Sequence, residues 1–272
     1  MTYKLIVLDM DDTLLLDNHT IGDHTQRALM KAQEVGVKVV LASGRPTQGM
    51  TAYATDLQLH NYGSYILAFN GAKIINCKTG EELFSSKLNP ETVHMLYELS
   101  LREEVHLHTY IGDTIITEKN NPYTSIESEL TGLPIDEVKS LVKAVQEPVV
   151  KVLMSERPEK LVEVEKKLKE ELEDQLSIFR SKPYFLEFIE HGVTKGSSLE
   201  MLIKKLGLKR EEVIAIGDSY NDLEMIELAG LGVAMGNAPD DIKAKADFVT
   251  DSNVNEGVAA VVEEFILKET SY

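Results

Sequence analysis

The sequence predicts an α/β fold, a Rossmann-like core around a mostly parallel sheet, with an α+β unit inserted into it. Three observations carry that expectation. Six short apolar runs each end in small or polar residues, helical patterns separate several of them, and hairpin signals replace the alternation in mid-chain. Strands alternating with helices imply parallel pairing with helices on the faces. Ligands of such sheets bind beyond the carboxyl ends of the strands, so the polar residues there are expected to converge on one crevice.

The first run, Lys4–Leu8, ends at Asp9, and its Leu5, Ile6, Val7 and Leu8 read as a strand covered on both faces. Gly22–Val35 carries Ala28, Leu29, Ala32 and Val35 on one helical face. Val37–Ala42 then ends at Ser43, and Tyr65–Phe69 ends at Asn70. "AKIINCKTGEELFSSKL" reads as a hairpin turning near Lys78-Thr79-Gly80, and "VHLHTYIGDTIITE" as another turning at Gly112-Asp113. Helical stretches are expected around Ile135–Val145 and Pro158–Glu173, interleaved with strand-like "VVKVLM" and "LSIFRS". The core resumes with a helix over Gly196–Leu206 and a strand over Val213–Ile216 before Gly217-Asp218. A helix over Ser219–Leu228 and strands at Gly232–Met235 and Phe248–Thr250 complete it. The expected division is residues 1–82 and 190–272 for the core and 83–189 for the insertion.

The 272 residues are 43% apolar, enough for a substantial core, and carry a net charge of −17. That balance argues against a sequence-independent hold on nucleic acid, which needs clustered Lys and Arg. Much of it belongs to "EVEKKLKEELED" (Glu163 to Asp174), which reads as a solvated helix face. The single cysteine, Cys77, excludes an intramolecular disulfide and fits a reducing compartment. No apolar run approaches the ~20 residues of a membrane span, and no signal-peptide pattern is present, so a cytoplasmic globular protein without a membrane partner is expected.

Asp9, Asp11 and Asp12 crowd the end of the first strand. Two charges roughly 4 Å apart repel by about 4 kcal/mol at an effective dielectric of about 20, so something must offset them. A calcium loop fails, because its sixth position would be Leu14 in place of Gly and its twelfth Thr20 in place of Glu. "LASGRP" (Leu41 to Pro46) offers a small hydroxyl, Ser43, and the Gly44 amide before a helix, an anion site or an ordinary N-cap. In "GDSYND" (Gly217 to Asp222), Ser219 and Asp222 fit a capping box, whereas Asp218 sits at a strand end as Asp9 does. "GVTKGSSL" places Lys195 before a helix without the Gly-Lys-Ser order of a phosphate loop, and "GLGVAMG" spaces its glycines wrongly for a dinucleotide site.

Together "DMDDTLL", "LASGRP", "GVTKGSSL" and "GDSYNDLEMI" resemble the four ordered motifs of the haloacid dehalogenase superfamily, with "FNGA" and "VAMGNA" adding to the likeness. The resemblance covers the whole chain. The insertion looks like the type IIB cap of the Cof-like sugar-phosphatase branch. Asp12 departs from the pattern, since most members have Gly there, but Asp also tolerates unusual turn dihedrals. The resemblance implies that Asp9 is the nucleophile and Asp11 the general acid and base. It implies a Mg²⁺ cofactor held by the Asp9 carboxylate, the Asp11 main-chain carbonyl and Asp218. Ser43, Lys195, Asn221 and the backbone at Met10 and Gly44 would hold phosphate oxygens, and Asp222 would orient Lys195 and the metal shell.

The expectation is a phosphatase of small phosphomonoesters, sugar phosphates above all, acting through an aspartyl phosphate. A phosphomutase is the alternative within the same chemistry. A non-catalytic phosphometabolite sensor is the alternative outside it, although such a protein should have lost Asp9 or Asp11. In the insertion, "FRSKPYFLEF" (Phe179 to Phe188) offers Arg180, Lys182, Tyr184 and Glu187 as candidates for contacting substrate hydroxyls.

Overall fold

The computed structural model describes residues 3–172 and 174–268, so Glu173, the expected end of one helix, lies outside the described residues. Fourteen strands run through it. β1 (Leu5–Leu8), β2 (Lys38–Ala42), β3 (Tyr65–Ala68), β4 (Lys73–Asn76) and β5 (Glu82–Ser85) come first. β6 (His106–Ile111), β7 (Thr114–Thr117), β8 (Ile135–Glu137), β9 (Val152–Ser155), β10 (Leu176–Lys182) and β11 (Phe185–Glu190) follow. β12 (Val213–Gly217), β13 (Leu231–Ala234) and β14 (Phe248–Val249) close the series.

Eight of these form one sheet in the order β14-β13-β12-β1-β2-β3-β4-β5. The six strands from β14 to β3 pair in parallel, with Leu5 opposite Val213 on one side and Lys38 on the other, and only β4 turns back along β3. A strand in the middle of such a sheet is covered on both faces, which explains the unbroken apolar run at Leu5–Leu8. On one face Leu5, Val7, Val40 and Ala215 pack with Leu199, Leu202 and Met225 of helices Lys195–Leu206 and Leu223–Leu228. Burying each Leu, Ile or Val contributes about 1.5–3 kcal/mol.

The chain divides into two compact units, one holding the residues up to Phe84 and from Thr194 onward, the other Ser85–Val193. The second unit has its own sheet, β10-β11-β9-β6-β7-β8. Leu107, Val152, Met154, Leu186 and Phe188 cover one face of it and pack with Val93, Leu96, Leu161 and Leu168 of helices Pro90–Arg102 and Pro158–Leu172. Alternation along β6 sends His108 and Tyr110 to the opposite face.

Two expectations need correction. The stretch Ile135–Val145 is not one helix: β8 pairs in parallel with β7, and only Leu141–Ala144 is helical, its start capped by Ser140. Pairing with the free edge of β7 outweighs an apolar spacing that Asp136–Ser140 interrupt. Ser219–Leu228 also splits, into a 3₁₀ turn over Tyr220–Asp222 and a helix from Leu223, because the Asp222 side chain folds back on the strand end.

Candidate active site

Asp9 leaves the end of β1, where its N–H still donates to Ile216 of β12 at 3.0 Å. The chain then turns through an irregular coil over Met10–Leu14. Asp11 is extended there (φ −70°, ψ 128°) and Asp12 left-handed (φ 64°, ψ 7°). Left-handed backbone costs most residues about 1–2 kcal/mol, and Asp or Gly least, which accounts for the residue type at position 12. Thr13 returns to the crevice and donates its hydroxyl to Asp218 Oδ1 at 2.8 Å.

Lys195 opens the helix Lys195–Leu206, and its side chain is wholly buried. Its Nζ lies 2.5 Å from Asp9 Oδ1 and 2.6 Å from Asp222 Oδ1. The other Asp222 oxygen accepts from the N–H groups of Asp218 (3.1 Å) and Ser219 (3.0 Å). Asp222 therefore bonds both the amides of the turn and the lysine ammonium. Burial disfavours a bare ammonium, but Asp222 and Asp9 more than offset it and hold Lys195 protonated.

Carboxylate oxygens of Asp9, Asp218 and Asp222 all lie within 4.8 Å of one another. Burial, then repulsion from Asp222, raises the Asp9 carboxyl well above its ordinary value and the Asp218 carboxyl to about 6. Two buried acids and the half-buried Asp218 around one lysine leave surplus negative charge, and all the donors are hard oxygens. That donor set fits a divalent cation of the Mg²⁺ kind. The Asp11 carboxylate is elsewhere: it faces Arg45, whose guanidinium meets it with two hydrogen bonds.

Ser43 follows β2 directly and is buried, its N–H bonded to Leu67 at 2.9 Å. Its Oγ accepts from Arg45 N at 3.1 Å and caps no helix, because the next helix starts only at Gln48. An anion site at Gly44 would thus rest on loop amides, without a helix terminus behind it. Asn221 donates Nδ2 to Asn70 Oδ1 at 2.9 Å. The strand ends therefore gather Asp9, Ser43, Lys195, Asp218, Asn221 and Asp222 at the carboxyl edge of the core sheet, as expected of a parallel sheet. Thr13, Arg45 and Asn70 bond to Asp218, Asp11 and Asn221, though sequence pattern alone assigns none of them a role. Arg45 and Asn70 stood inside motifs already quoted, and an Asn-Gly pair at a strand end is a turn signal with a left-handed position.

The candidates in the second unit scatter. Arg180 donates Nε to Glu165 on helix Pro158–Leu172 at 2.6 Å, on the face shared with Leu176 and Ile178. Glu187 is buried against Lys151 Nζ at 3.0 Å. Tyr184, on the turn between β10 and β11, stacks on Tyr123 with ring centres 5.6 Å apart.

The family model of haloacid dehalogenase-like hydrolases matches residues 6–262. YxeH of Bacillus subtilis is 36% identical over 97% of this chain and 99% of its own length. A haloacid dehalogenase-like hydrolase from Bacteroides thetaiotaomicron superposes with a TM-score of 0.90 at 42% identity, over 96% of this chain and 99% of that one. The HAD subclass IIB sugar phosphatase BT4131 superposes with a TM-score of 0.81 at 26% identity, over 96% and 98%. No described helix is long and apolar enough to cross a membrane. The chain belongs to the haloacid dehalogenase-like hydrolase family, among its phosphoric monoester hydrolases.

Proposed function

We propose that this enzyme hydrolyses small phosphomonoesters, sugar phosphates foremost, with Mg²⁺ and through an aspartyl phosphate on Asp9. The observation that carries the reading is the buried array of Asp9, Lys195 and Asp222. One Asp9 oxygen is pinned by the ammonium, which aims the carboxylate and leaves its second oxygen to attack phosphorus.

Attack forms the Asp9–phosphorus bond as the bond to the leaving oxygen breaks, and Asp11, in its protonated form and turned from Arg45 toward the leaving group, supplies that oxygen's proton. The Asp11 carboxylate then takes a proton from the water that attacks the acyl phosphate, which frees inorganic phosphate and restores Asp9. Lys195, Ser43, Asn221 and the amides near Met10 and Gly44 hold the remaining phosphate oxygens through both steps. Asp9, Asp218 and the Asp11 carbonyl would hold Mg²⁺, which supplies Lewis-acid stabilisation of the charge that builds on those oxygens. Choice of leaving group is assigned to the unit Ser85–Val193, read as a type IIB cap.

The test is a screen of phosphorylated metabolites with purified protein and Mg²⁺, measuring inorganic phosphate. Release without a sugar bisphosphate activator is expected and separates hydrolysis from a mutase reaction. Asp9→Asn is expected to abolish turnover, because an amide cannot form the acyl phosphate; near-normal activity in that variant sinks the mechanism.

A further inference from the structure

The motif "FNGA" closes β3 with three successive residues of positive φ: Phe69 (53°), Asn70 (55°) and Gly71 (96°). Gly adopts this region freely and Asn with little strain, so Phe69 above all is held there by its surroundings. Those surroundings are the three segments that carry the candidate phosphate ligands. Asn70 N–H donates to Ser43 O at 2.9 Å, and Phe69 N–H to Arg45 O at 3.0 Å. Ser198 Oγ, one turn past Lys195, donates to Gly71 O at 2.7 Å. A Cβ on Gly71 would stand 2.5 Å from Thr194 O, so no other residue allows the Lys195 helix to come this close. The Asn70 side chain, 2% exposed, accepts from Asn221 Nδ2 at 2.9 Å, and its own Nδ2 would lie 3.0 Å from a Cβ placed on Gly44.

We propose that Asn70 is a positioning residue for phosphate recognition, setting Asn221 and the Ser43–Gly44 loop at the spacing that a phosphoryl group requires. This rests on the functional reading above. Asn70 touches no phosphate oxygen itself. Its Oδ1 takes one amide hydrogen of Asn221 and so fixes the direction of the other. Its buried amide also fills the space against Gly44, which keeps that loop from closing into the anion site. A purely structural Asn70 would instead serve only its own left-handed backbone, a task that Gly performs equally well.

That difference makes Asn70→Gly the informative variant, since it keeps the turn and removes the side chain, with both its bridge to Asn221 and its packing against Gly44. The readout is competitive inhibition by inorganic phosphate of Mg²⁺-dependent p-nitrophenyl phosphate hydrolysis. Loss of one directed hydrogen bond predicts inhibition weakened about tenfold in Asn70→Gly. Asn221→Ala is expected to weaken it by a similar factor in the otherwise native enzyme, and by less than twofold in the Asn70→Gly background, because contacts acting through one another are not additive. Asn70→Asp keeps the shape and the acceptor, so Asn221→Ala should cost that background its full factor again. Equal costs of Asn221→Ala in the native and Asn70→Gly enzymes overturn the inference, as does unchanged inhibition in Asn70→Gly. If Asn221→Ala alone leaves inhibition unchanged, the failure lies in the phosphate-binding reading, and the inference falls with it.

Discussion

Arg45 grips Asp11 by both carboxylate oxygens, with Nε donating to Oδ2 at 2.9 Å and Nη2 to Oδ1 at 2.6 Å. A planar fork matched to a planar carboxylate fixes direction as well as charge, which an ammonium cannot do. Arg45→Lys is expected to lower kcat about tenfold, and Asp11→Asn by the ~10²–10⁴-fold typical of general acid–base catalysis. Steady-state kinetics on one sugar phosphate decides; an unchanged kcat in Arg45→Lys would show that Asp11 needs no such support.

The repulsion among Asp9, Asp218 and Asp222 should be relieved by a bound cation, which then stabilises the folded state. A ligand at 100-fold over its dissociation constant adds about 2.7 kcal/mol. Melting temperature is expected to rise in millimolar Mg²⁺ relative to EDTA, and Asp218→Ala to shrink that rise. The same shift in the variant would count against Asp218 as a ligand.

His108 is wholly buried beside Lys151, Tyr110 and Phe185, and burial, then the lysine, pushes its pKa down from 6.5 to about 3. The unfolded chain takes up this proton below pH 6.5, whereas the His108 ring of the folded protein stays neutral until about pH 3. Stability from the neutral ring is therefore complete above pH 6.5 and lost as pH falls, by roughly 2 kcal/mol between pH 7 and 5. Urea unfolding at the two values should show this loss, and His108→Leu should reduce it. An equal loss in the variant would assign the acid sensitivity to other groups.

Lys151 and Glu187 form an ion pair whose side chains are 2% and 3% exposed. Removing one partner strands a buried charge, so Glu187→Ala is expected to cost about 3–5 kcal/mol. Replacing both with Met and Leu should recover most of that loss in a denaturant titration. Equal damage from the single and double variants would mean that lost packing dominates.

Tyr184 and Tyr123 present a partly exposed stacked pair, whereas Arg180 is committed to Glu165. Changing either tyrosine to Ala is expected to alter kcat/KM unequally among sugar phosphates and leave p-nitrophenyl phosphate least affected. Arg180→Ala should leave the ranking intact. One common factor across all substrates in the tyrosine variants would remove the pair as a selector.

The parallel core was legible because burial on both faces writes a strand as an unbroken apolar run, and because its ligands must lie at the strand ends. Asp9, Ser43 and Asp218 stood out for that reason. Helices Pro90–Arg102 and Pro122–Thr131 escaped notice although each carries an Asn-Pro start, with Asn89 and Asn121 accepting from the first turn. Their apolar faces are narrow, and periodicity alone hides them. Arg180 and Glu187 misled for a different reason: a charged residue in a strand reads alike whether it meets solvent, a helix or a buried lysine. Which face of β10 or β11 it takes depends on register, and register depends on partners far away in the chain.

The central pairing of Leu5 with Val213 joins residues that the ribosome makes some 208 positions apart. At about 5–20 residues per second, the strand bearing the nucleophile waits roughly 10–40 s for its neighbour. Throughout that interval Leu5–Leu8 is an apolar strand with one open edge, while the unit Ser85–Val193 has a sheet and an apolar core of its own. Asp9 acquires Lys195 and Asp222 only once β12 and the residues flanking it have emerged, so a chain stalled before that point leaves the nucleophile without either partner and the edge of β1 open.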